Sequence, residues 1–307
     1  MLPGKTRIIL LASILALACQ GTAALAQRPR PPAQRQTVPH KELEARFDKA
    51  RQLAREHKYE EALKEYLFVF DNSREDRSYG GVRLSYVPSE IAEIGRVYPP
   101  ATLALEVRRN QSEKKILAGK AEFIDLQEFT TLNQYLGTLE RNIELFDKLK
   151  TLGSAFTEIK ANMLTLVWGE LVEAKRYNEL NENVNQLARG VVSQIAESLI
   201  NNDFPSSDPR GSPMYLAYLR RSIIDDGGRV YEALLGLGKF ETADKLETWM
   251  LTYAPDGEMH AQLIRRAINA KRNTRANDLF NRANRTLKKR EDLQLVHDAA
   301  KGLPAAP

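Results

Sequence analysis

Four times along this chain an apolar stripe stops at a short polar turn and then resumes. Leu43, Phe47, Ala50 and Ala54 form the first stripe; His57-Lys58-Tyr59 interrupts it, and Ala62, Leu63, Tyr66, Leu67 and Phe70 take it up again. Apolar side chains three and four residues apart share one face of an α-helix. Two such stripes joined by a short break make an antiparallel helical hairpin. The same pattern runs from Met163 to Lys175, through Tyr177, to Leu180, Val184 and Leu187. It runs again from Val230 to Leu237, through Gly238-Lys239-Phe240, to Ala243, Leu246, Met250 and Leu251. The last instance runs from Met259 to Ala270, through Lys271-Arg272-Asn273, to Ala276, Leu279 and Phe280. Ala243 and Ala276 lie 33 residues apart. Two-helix units at a period near 34 mark a stacked helical array.

Three of these turns end in Tyr or Phe, and two of those carry Ala three positions later. The stretches Lys58-Tyr59-x-x-Ala62-x-x-x-Tyr66 and Gly238-x-Phe240-x-x-Ala243, the latter with Pro255 twelve residues on, resemble the tetratricopeptide repeat. The likeness is specific at 41–73 and 226–255. It weakens at 163–200, where Leu180 stands in place of the small residue, and at 258–288, where Asn273 stands in place of the aromatic. The resemblance implies an all-α chain of antiparallel hairpins stacked as an α-solenoid, with an irregular helical centre. It also implies that a peptide or helix is held on the concave face.

The centre is helical without that repeat. Ser89 to Val97 and Ala101 to Leu117 flank Tyr98-Pro99-Pro100, where proline ends one helix and starts the next. Leu126 to Leu139 and Asn142 to Leu152 predict two more helices. Residues 201–213 (NNDFPSSDPRGSP) form a breaker cluster. We read it as a loop and as the internal boundary between a region over 41–200 and C-terminal hairpins over 214–303. Asp225-Asp226, like Glu60-Glu61, reads as the start of a helix, where free N–H groups favour carboxylates.

The N-terminal end points to export. Lys5 and Arg7 precede an apolar run from Ile8 to Ala18, and Ala24-Leu25-Ala26 precedes Gln27, the pattern of a secretory signal peptide over 1–26. The expected location is periplasmic or secreted. Cys19, the only cysteine, follows Ala16-Leu17-Ala18 and resembles a lipoprotein acylation site, which would instead tether the chain to the cell envelope. The Pro- and Arg-rich stretch that follows (QRPRPPAQRQTVP), up to residue 40, has too few apolar side chains for a core and reads as a linker. Without Lys5 and Arg7 the 45 basic residues fall to 43, against 40 acids, which is no argument for nucleic acid.

No stretch carries recognisable chemistry. Around Lys239 a phosphate-binding loop would need glycine where Ala233 stands and Ser or Thr where Phe240 stands. The histidines His40, His57, His260 and His297 form no HExxH, and no serine sits in Gly-x-Ser-x-Gly. We therefore expect no catalytic site, metal or cofactor, and a hydrolase is disfavoured. One charge asymmetry stands out. Arg265, Arg266, Lys271, Arg272, Arg275, Arg282, Arg285, Lys288, Lys289 and Arg290 are interrupted by a single acid, Asp278. Such a block is a candidate face for an anionic partner, whether cell-wall polymer, anionic lipid or acidic protein. It equally suits a solvated helical face.

Overall fold

The computed structural model describes residues 38–303, apart from 77, 203 and 206. Every regular element among them is a helix. The order is α1 His40–Arg55, α2 Tyr59–Asn72, α3 Gly80–Leu84, α4 Tyr86–Gly95, α5 Pro99–Leu117, α6 Phe123–Leu136, α7 Glu140–Thr151 and α8 Thr157–Glu173. There follow α9 Val184–Asn201, α10 Pro213–Gly236, α11 Phe240–Tyr253, α12 Gly257–Asn269, α13 Asn273–Thr286 and α14 Arg290–Ala300. The expected signal peptide, Cys19 and nearly all of the linker lie outside the described residues.

The stripes do what their spacing requires. Leu43, Phe47, Ala50 and Leu53 are the buried face of α1, against Ala62, Leu63, Tyr66, Val69 and Phe70 of α2. Local chemistry sets the ends. Pro99 and Pro213 occupy first helical positions. Glu122 and Asp125 form a reciprocal capping box on α6, and Asp256 caps α12 through the Met259 amide at 3.1 Å.

Six helices close with one and the same turn. His57, Gly119, Gly137, Lys175, Gly238 and Lys271 all have φ between 58° and 71°. The amide after each bonds a carbonyl five residues back: Lys58 to Leu53, Lys120 to Lys115, Thr138 to Asn133, Arg176 to Leu171, Lys239 to Leu234 and Arg272 to Ala267, at 2.8–3.1 Å. That bond satisfies a carbonyl the helix cannot and reverses the chain at little length.

Packing follows a simple alternation. Each even-numbered helix touches the next even one: α2 on α4, α4 on α6, α6 on α8, α8 on α10, α10 on α12 and α12 on α14. The odd-numbered helices flank this row, and α9 also meets α11. Two apolar cores result. One joins Leu43 through Leu105 with Leu132; the other runs from Ile116 to Ala299. Between them α5 and α6 bury a polar belt, where Glu128 accepts from Arg74 (2.6 Å), Arg83 (2.6 Å) and Ser112 (3.0 Å).

Two expectations are corrected. Residues 163–200 do not form a hairpin: a 3₁₀ turn at Tyr177–Leu180 separates α8 from α9, and α9 packs on α10 and α11 instead. Leu180 is fully buried at that turn, and it is bulkier than the alanine that lets two helices close directly. Asp225-Asp226 does not start a helix but lies inside α10, followed there by Gly227-Gly228. A Cβ on Gly227 would meet Met250 at 2.9 Å and Val191 at 3.2 Å, and one on Gly228 would meet Gln262 at 2.7 Å. The glycines are there because α9, α11 and α12 approach the α10 backbone. The larger core has members on both sides of 201–213, and the two cores meet at α5 and α6.

Candidate functional site

The basic block divides into paired and unpaired cations. Arg266 is drawn inward between Glu173 of α8 (2.8 Å) and Glu232 of α10 (3.0 Å). Glu232 has no accessible surface and also accepts from Lys175 (2.5 Å), Tyr177 Oη (2.8 Å) and Asn269 (3.1 Å). Arg275 bonds Glu247 (2.9 Å) and Asp244 of α11, and Arg282 bonds the other Glu247 oxygen at 2.9 Å. Arg272 gives its Nε to the Leu235 carbonyl (3.2 Å) and lies over the Phe240 ring. Despite the desolvation of their sites, Glu173 and Glu232 hold the Arg266 guanidinium more basic than usual, and Tyr231 first, then Glu247, do the same for Arg275. These four are therefore fastenings between helices. Arg265 bonds only Gln262 (3.2 Å), while Lys271, Arg285, Lys288, Lys289 and Arg290 are exposed with no side-chain partner among the described residues.

A second feature was not foreseen. A groove of about 720 Å³ opens between α1, the α1–α2 turn and the end of α4. Its floor is a fixed triad. Tyr66 donates to Glu90 at 2.5 Å, and Arg51 holds the other Glu90 oxygen through Nε (2.8 Å) and Nη2 (2.6 Å). Burial first, then the Glu90 carboxylate, push the Tyr66 phenol far up, so it stays a neutral donor. Ala54, Ile94 and Val97 supply apolar wall, and Val97 is 64% exposed. His57 Nδ1 meets Tyr59 Oη at 2.7 Å, and Tyr98 stacks on Tyr59. Asp48, Glu93, Arg55 and Arg96 stand around this floor and wall.

An open cleft with an apolar wall, a rigid polar floor and charges of both signs can hold a side chain and orient it. Among the described residues no group of three His, Cys, Asp or Glu side chains is placed to hold a metal. No helix among them is long and apolar enough to cross a membrane. Neither family models nor curated proteins nor solved structures give a match to this chain.

Proposed function

We propose that this chain is an exported scaffold of tetratricopeptide-like, solenoidal architecture, which binds another macromolecule and performs no chemistry itself. The observation that carries this is the row of alternate helices with its recurring turn, ending in a groove whose apolar wall includes the 64% exposed Val97. Arrays of this kind bind along extended surfaces rather than in sealed pockets. The groove suits an apolar anchor on a peptide or helix, with Arg55 and Glu93 available to its polar flanks. Export rests on the charged start, apolar run and small-x-small site of residues 1–26.

Site-specific photocrosslinking in the exporting cell tests the proposal. A photoreactive side chain at Val97 should trap one stoichiometric adduct. The same probe at Lys245, exposed on α11, should trap none. Identical adducts at both positions, or none at Val97, overturn binding in the groove.

A further inference from the structure

The ten-cation block of the sequence becomes, in the structure, a small cluster at one corner. Arg285 lies in the last turn of α13, Lys288 and Lys289 belong to the connection, and Arg290 opens α14. All four are exposed, and none has a side-chain partner among the described residues, in contrast to Arg266, Arg275 and Arg282. Holding them in place is the buried side chain of Leu287, which anchors the reversal while its neighbours point outward. Glu291 and Asp292 follow, but they occupy the first turn of α14, where the helix N-terminus already favours negative charge. Asp292 moreover packs its backbone against Gly257 of α12.

We propose that this corner docks on an anionic lipid surface. Three observations favour a surface over a threaded acidic chain. The four cations sit on a chain reversal, where they can meet a plane together. They line none of the clefts described above, and they lie at the opposite end of the helix row from the groove. Lysine and arginine beside an anionic leaflet each add to attraction without needing a shaped pocket. The inference is independent of the groove: a molecule could bind lipid here whether or not it holds a peptide there.

Vesicle co-sedimentation of the signal-cleaved protein provides the test. It should bind vesicles containing phosphatidylglycerol and ignore pure phosphatidylcholine. Binding should fall steeply between about 0.05 M and about 0.5 M salt, because screening shortens the reach of exposed charge. Replacing a single cation by glutamine should weaken partitioning roughly fivefold, and replacing all four several hundredfold. A charge-keeping variant, with Arg285→Lys, Lys288→Arg, Lys289→Arg and Arg290→Lys, should bind as the natural chain does. A far-UV circular dichroism spectrum checks that every variant is folded. Equal binding to both vesicle types, or no effect of the fourfold glutamine variant, overturns the proposal. So does tighter binding to soluble polyglutamate than to vesicles, which would assign the corner to an acidic polymer.

Discussion

Replacing Glu232 by leucine asks whether a buried ionic hub holds alternate helices together. The carboxylate has no accessible surface and four donors: Lys175 and Tyr177 from the α8–α9 turn, Arg266 and Asn269 from α12. Lys175 and Asn269 reach solvent and recover water once the acceptor is gone. Arg266, with an 11% exposed side chain, keeps only Glu173, and Tyr177 loses its acceptor. A hydrogen bond to a charged group contributes about 1.5–3 kcal/mol, and removing one partner of a buried pair costs about 3–5 kcal/mol. Leucine regains part of this through its own apolar burial. The expected loss is about 3 kcal/mol, which lowers the melting temperature by roughly 6–12 °C in a protein of this size. Glu232→Gln keeps an acceptor oxygen and should lose about half as much. Urea unfolding followed by far-UV circular dichroism reads both, through a lower midpoint at an unchanged slope. A leucine variant as stable as the natural chain would refute the reasoning: desolvating the ions would then have cost all that their pairing returned.

Other expectations are shorter to state. Lys271 adopts φ 58° without a packing reason for its side chain, so Lys271→Gly should raise stability by about 0.5–1 kcal/mol in the same urea assay. Gly227→Val should destabilise by about 3 kcal/mol or more, because a Cβ there strikes Met250 and Val191, and thermal unfolding reads the loss. His40 bonds Asp76 at 2.8 Å, which raises the imidazole above 6.5; Ser78 first, then His40, draw Asp76 down to about 2. The histidine's share of stability is full below its unfolded pKa and fades as pH rises through the folded one. The aspartate's share is present above 3.8 and fades as pH falls towards 2. The α1–loop contact should thus be tightest between those limits, and Asp76→Asn should return the His40 NMR titration towards 6.5. Metabolic fatty-acid labelling that disappears in Cys19→Ala would establish a tether, and an unlabelled natural chain would dismiss it.

Where the sequence was legible, local physics decided the outcome. The α1–α2, α10–α11 and α12–α13 hairpins follow from stripe, left-handed turn and small residue, all within about 35 residues of chain. Asp225-Asp226 misled because nothing local shows that the Gly227-Gly228 pair after them lies inside a helix, packed close to Met250 and Gln262. The basic block misled in a similar way. Arg266 and Glu173 are 93 residues apart, and Arg282 and Glu247 are 35 apart, so no local pattern marks which cations are already paired. The groove was hidden for the same reason, since α1, α2 and α4 each contribute only a few residues to it. The corner Tyr98-Pro99-Pro100 and the turn His57-Lys58-Tyr59 were the only trace it left in the sequence.

The row from α2 to α14 has a mechanical consequence. Each even-numbered helix rests on its neighbours in the row, so the separation of the two ends is the sum of several small interfaces. If the row is the solenoid proposed above, a tug applied across the molecule would be taken up as a slight rotation at every interface, and the body would respond as a spring. The groove at one end and the cationic corner at the other could each stay seated while the span between them stretches.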